Sequence, residues 1–153
     1  MSRPTYETER DRYRARRLAD KTAEQWGLGQ PFEMPPFAPY DFALVPIIGT
    51  EVAGFLEVKS REYHSGAFET YFVGLDKWQG LRELNAATGL PAILLFGFTD
   101  GARFLEVSSR AEVVPNFRIG GRADRGDPAD ATVVAHIPRA AFRHPSESNP
   151  FKI

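Results

Sequence analysis

Residues 40–60, YDFALVPIIGTEVAGFLEVKS, decide the reading of this chain. Two segments rich in Val, Ile, Leu and Phe, residues 42–47 and 52–59, flank Gly49, Thr50 and Glu51, a pattern that predicts a β-hairpin closed by a tight turn. With the turn centred between Gly49 and Thr50, antiparallel pairing sets Asp41 beside Glu57 and Val58. Side chains on a strand alternate faces, so Glu57 and Lys59 share one face while Val58 points to the other. An Asp, a Glu and a Lys therefore converge at one end of a hairpin whose remaining residues are apolar on both faces, as expected of a covered central strand. Charges so placed carry a desolvation cost that is tolerated when they pair or bind a metal ion.

A structural ion pair is the plain explanation. With 20 acidic residues among 153, an E-x-K by itself carries little weight. The strand setting, the Asp across the hairpin and a chain that otherwise uses Arg, 15 to 4 over Lys, favour a functional site. Arg stays charged at any working pH, whereas the pKa of Lys falls on burial, so Lys59 can help orient or deprotonate a water.

Asp41 followed sixteen residues later by Glu57-Val58-Lys59, on consecutive strands, resembles the PD-(D/E)xK nuclease superfamily of restriction endonucleases, archaeal Holliday-junction resolvases and phage nucleases. The Pro of that motif is displaced here, in Pro39-Tyr40-Asp41. The resemblance runs from about residue 9 to residue 101 and implies a restriction-endonuclease-like α/β fold: an αβββαβ core with a mixed central sheet flanked by helices. It implies DNA as partner and Mg2+ or Mn2+ as cofactor, held by Asp41, Glu57 and the backbone carbonyl of Val58, with Lys59 positioning a water for in-line attack on the phosphodiester bond. In the superfamily the first helix often adds an acid; Glu9 resembles that position, with Asp20 and Glu24 as rivals. A Lys or Gln early in the helix after the E-x-K strand often helps to hold phosphate or water, which makes Lys77 and Gln79 candidates. Many members dimerise, so a homodimer is one option that the sequence leaves open. A catalytically inactive nuclease-fold binding module, such as a phage or mobile-element accessory protein, is the alternative reading.

The rest of the chain is compatible with this. Its length fits one domain, residues 1–153, with a core over about 5–110 and an irregular C-terminal extension over 111–153. Hydrophobic residues at 42% and charged residues at 25% are ordinary globular values, and no run is long enough to cross a bilayer. MSRPTYETERDR lacks the apolar stretch of a secretory signal, so the expected location is cytoplasmic. Without Cys, and with His only at 64, 136 and 144, any metal site must be built from hard oxygen ligands. The net charge of -1 argues against nonspecific coating of nucleic acid but leaves local basic patches open.

Residues 5–26 predict a helix stopped by Gly27, with a thin stripe of Ala15, Leu18, Ala19, Thr22, Ala23 and Trp26 and an otherwise charged surface. The Pro-rich 30–39 predicts an extended segment or short edge strand. Residues 60–70 read as a loop beside the proposed site, in which Arg61 and Tyr63 are candidates to grip a phosphate or stack on a base; His64 reads as an ordinary loop residue. Residues 76–88 predict a helix N-capped by Asp76 and stopped by Gly89, with Trp78, Leu81 and Leu84 inward. Residues 90–98 predict a buried strand joined through Asp100-Gly101 to a partner at 103–107. Residues 116–131 read as a loop, with Arg118 among the residues able to meet nucleic-acid backbone, 132–137 as an edge strand, and HPSESNPFKI as a loosely ordered tail.

Overall fold

The computed structural model describes residues 9–110, 113–121 and 131–151. Helix α1 (Glu9–Gln25) is followed by β1 (Phe32–Glu33), β2 (Phe42–Leu44), β3 (Gly54–Ser60) and β4 (Thr70–Gly74). Helix α2 (Leu75–Thr88) then leads to β5 (Ala92–Phe98), β6 (Gly101–Val107), β7 (Asn116–Gly121) and β8 (Ala131–Pro138). The strands form a five-stranded sheet, β1-β2-β3-β5-β6, and a three-stranded sheet, β4-β8-β7. In the larger sheet β3 and β5 are parallel, joined across α2, while every other neighbouring pair is antiparallel. The sheet is mixed, as expected, and the αβββαβ order is present with one strand added before α2.

The two faces of β3 define two cores. Leu56 and Val58 pack with Phe42, Leu44, Ile93 and Leu95 against Ala19 and Trp26 of α1. Phe55 lies on the other face with Trp78 and Leu81 of α2, Leu94 and Phe96 of β5, and Tyr71, Val73, Ala135 and Ile137 of the smaller sheet. The apolar stripe expected of the first helix is the buried one: Ala19, Thr22, Ala23 and Trp26 are buried and Ala15 and Leu18 flank them. Gly89 closes α2 in the left-handed conformation at φ 71°, its N–H bonded to the Asn85 carbonyl, a geometry that glycine adopts without steric cost.

Several expectations are corrected. No tight turn joins β2 and β3; residues 45–53 form a longer connection, because Pro46 has no N–H to give a ladder and Val45 turns its carbonyl to Gly29 N–H at 2.9 Å. The pairing itself is close to expectation, with Phe42 opposite Leu56. Asp76 is not the N-cap of α2; Gly74 holds that position and no side chain caps it. β4 was not anticipated, and residues 116–121 are a strand rather than a loop. β8 is the centre of the smaller sheet, not an edge, because β4 pairs with it on one side and β7 on the other. The chain beyond residue 110 is therefore structured where it is described, and the tail is held as far as residue 151. Trp26 Nε1–H lies within hydrogen-bond reach of the Pro145 and Ser148 carbonyls at 3.1 and 2.9 Å, and Asn149 Nδ2 donates to the Trp26 carbonyl at 3.2 Å. The Trp26 ring also meets Phe104 edge-on at 4.9 Å and Phe151 at 5.8 Å.

This makes Trp26 the clasp between α1, the large sheet and the tail. Trp26→Ala should lower unfolding free energy by about 3–5 kcal/mol in urea titrations, the usual loss for a buried aromatic. Asn149→Ala should cost about 1–3 kcal/mol, since its side chain makes two hydrogen bonds, to the Trp26 carbonyl and from Phe151 N–H at 2.8 Å.

Candidate metal and phosphodiester site

Asp41 is fixed by its backbone before its side chain is considered. Its N–H donates to the Leu56 carbonyl at 3.0 Å and its carbonyl accepts from Met34 N–H at 2.9 Å, so the residue extends the β1-β2-β3 ladder one residue ahead of the start of β2. Its Oδ2 accepts from Val58 N–H at 2.8 Å. Strand alternation places the Val58 carbonyl on the same edge of β3 as that N–H. The carbonyl therefore faces the Asp41 side, beyond the N-terminal end of β2.

Glu57 projects from the other face of β3, toward α2, and is only 1% exposed. Lys59, two residues on and on the same face, brings Nζ to 3.3 Å from Glu57 Oε2. Lys77 reaches in from the first turn of α2, with Nζ 3.7 Å from Oε1. That distance makes an ion pair but no hydrogen bond, and Oε1 is buried without a hydrogen-bond partner. Burial pushes the Glu57 pKa up to about 7; the ammonium of Lys59 opposes that, the Asp41 carboxylate adds to it, and Lys77 opposes it in turn. The Asp41 and Glu57 charges thus act on each other across the β2-β3 edge. Two carboxylates, one with an unbonded buried oxygen, and a backbone carbonyl form a hard-oxygen donor set suited to a divalent ion such as Mg2+ or Mn2+.

The remaining sequence candidates fall elsewhere. Glu9 is exposed at the start of α1, and α1 lies on the sheet face opposite Glu57. Among the described residues no group of three His, Cys, Asp or Glu side chains is gathered for a metal. Asp20 is engaged by Arg16 at 3.2 Å and Glu24 is exposed. Gln79 is exposed on α2, two residues from Lys77 and so pointing to a different side of the helix. Arg61 folds back: its guanidinium donates to the Phe72 carbonyl at 3.1 Å and lies over the Phe72 and Phe96 rings. Burial lowers its pKa, opposed by Tyr63. Tyr63 is half-buried against Phe68 and Phe98.

One supporting feature carries no signal in the sequence. The loop after Lys59 is pinned to the β5-β6 turn by Asp100, whose Oδ1 accepts from Ser65 N–H at 2.8 Å and whose Oδ2 accepts from Ser65 Oγ–H at 2.6 Å. These bonds hold the Asp100 carboxyl at about 2. Only the Asp-Gly turn is visible in the sequence; its partner 35 residues upstream is a tertiary fact.

The raised Glu57 pKa fixes a pH dependence. An acid whose folded pKa lies above its unfolded value of 4.5 stabilises the fold least once ionised, so its contribution is lost as pH rises from about 4.5 through about 7. By linkage that loss is about 3 kcal/mol. Glu57→Gln, which stays neutral, should unfold at higher urea than wild type at pH 8 without divalent ions, and the gap should close toward pH 5.

A family model described as "Phage putative PDDEXK endonuclease" matches residues 1–145. No curated protein matches the chain in sequence. Among solved structures the chain is similar to Hjc, a Holliday junction resolvase from the archaeal hyperthermophile Archaeoglobus fulgidus. The TM-score is 0.51 at 15% identity, over 84% of this chain and 96% of that one. That likeness shows a restriction-endonuclease-like fold. With the family model spanning nearly its whole length, the chain belongs to the phage PDDEXK endonuclease family of PD-(D/E)xK nucleases.

Proposed function

We propose that this chain hydrolyses DNA phosphodiester bonds with the help of Mg2+ or Mn2+, held by the carboxylates of Asp41 and Glu57 and the carbonyl of Val58. The observation that carries this reading is the buried, unbonded Glu57 Oε1 beside a backbone-locked Asp41. A divalent ion bound there would supply Lewis-acid polarisation of the phosphate and a lowered water pKa. Asp41, tied at N–H, carbonyl and side chain, provides a donor that does not need to reorganise. Lys59, whose side chain is 30% exposed, would orient the attacking water and offset developing negative charge with its ammonium. Lys77, entering from α2, would meet a phosphate oxygen from the opposite side.

One observation favours a second reading, a nuclease scaffold that binds without cutting: Lys59 and Lys77 already balance the two acids, and no third acid joins them among the described residues. Metal binding separates the two. Titration with Mn2+ should saturate in wild type and vanish in Asp41→Ala if the site is catalytic.

Asp41→Ala and Lys59→Ala should each reduce cleavage by about a hundredfold or more, the scale set by misplacing a reacting group, with unchanged circular dichroism. The assay is a panel of linear, branched and single-stranded DNA with Mg2+ or Mn2+. No cutting of any form by wild type, or wild-type cutting by Lys59→Ala, would remove the catalytic reading.

A further inference from the structure

The smaller sheet turns Tyr71, Val73, Ala135 and Ile137 to the core, so alternation sends Thr70, Phe72, His136, Asn116 and Arg118 to its outer side. Phe72 lies opposite His136, and His136 opposite Asn116. Phe72 is 40% exposed, and Asn116 and Arg118 are exposed. The Arg61 guanidinium sits over the Phe72 ring at 4.9 Å, and the His136 imidazole stacks on Phe72 from the neighbouring strand at 5.7 Å and 30°. Three flat groups thus form a row across the sheet.

The chemistry of the row is one-sided. None of the outward positions described on β4, β7 and β8 is Asp or Glu, while Arg118 adds a positive charge beside the imidazole. Burial, and then the Arg118 charge, keep the His136 pKa below its usual value, so the neutral ring predominates at pH 7. The row starts at Arg61, two residues beyond Lys59, and Arg61 N–H continues the β3-β5 pairing through the Gly97 carbonyl at 2.8 Å. The outer face and the catalytic end of β3 therefore adjoin. Aromatic side chains with an adjacent cation and no acid complement a polyanion whose bases are unpaired. In a duplex the base faces are already stacked, so a flat row gains little from them.

We propose that the outer face of the smaller sheet binds a single-stranded segment of DNA, with bases stacking on the Phe72 and His136 row and phosphates meeting Arg118. This rests on the nuclease reading and extends it from the bond that is cut to the strand that is held.

The test is fluorescence anisotropy of the full chain with a labelled oligothymidylate and with a duplex of equal length, in EDTA so that nothing is cleaved. Phe72→Ala should weaken single-strand binding about tenfold, the scale of one lost base stack, with Phe72→Trp close to wild type and duplex binding unchanged. Arg118→Ala should lower the slope of log affinity against log salt by about 0.7, one phosphate contact on a single strand. Both side chains are on the surface, and urea titration of each variant verifies its fold. Absence of single-strand binding by wild type, wild-type affinity in both alanine variants, or an equal loss for the duplex would overturn the proposal. A chain that cuts no DNA yet loses single-strand affinity on these substitutions would lose the catalytic reading and keep this one.

Discussion

A single carboxylate, that of Glu57, is placed where water cannot reach it, and much of the surrounding structure answers to that placement. Among the described residues it is the one buried charged side chain. Taking a carboxylate out of water costs several kcal/mol, and pairing it with ammonium groups seldom returns the whole cost. Here the compensation is partial: Lys59 approaches one oxygen at 3.3 Å, Lys77 stays at 3.7 Å from the other, and Asp41 adds repulsion. Such an arrangement is poor at holding a fold together. It is well suited to receiving a hard cation, which would satisfy the free oxygen and the repulsion between the acids together.

The architecture around it supplies rigidity from three directions. The β1-β2-β3 ladder fixes Asp41, the parallel β3-β5 pairing fixes the strand that carries Glu57 and Lys59, and α2 delivers Lys77 through the burial of Trp78 and Leu81. An added Cβ at Gly80 would lie 3.9 Å from the Pro39 carbonyl oxygen, so the segment leading into Asp41 runs alongside α2. Glu57 and both lysines therefore rest on a strand and a helix, and Asp41, one residue before β2, is tied to the same ladder, which favours precise placement.

Much of this was legible in the sequence because it follows from local period and composition. The alternation in residues 52–59 placed Glu57 and Lys59 on one face, the stripe from Ala15 to Trp26 named the buried side of α1, and the run at 90–98 read as a buried strand. The parts that escaped depend on distant partners. Residues 70–74, TYFVG, are short and follow a polar loop, so nothing marks them as a strand until β8 lies beside them. Residues 116–121, NFRIGG, have the composition of a turn and become a strand by pairing with β8. The carbonyls gripped by Trp26 lie more than a hundred residues away. The first-helix acid failed to reach the site for a similar reason: helical spacing fixed which side of α1 is buried, but not which face of the sheet it would cover.

The pairing of β4 with β8 also bears on how the molecule is assembled. Thr70 meets Pro138, so the core face behind Glu57 stays open until a segment more than sixty residues downstream has arrived. Closing so long a loop adds little to the entropic cost of the finished fold, yet it delays the step at which contacts repay that cost. On a ribosome the chain would carry its complete set of acids and lysines well before β8 emerges to seal the apolar layer beneath them. A competent site would then have to wait until β8 has left the exit tunnel, however early the strands that carry its charges have formed.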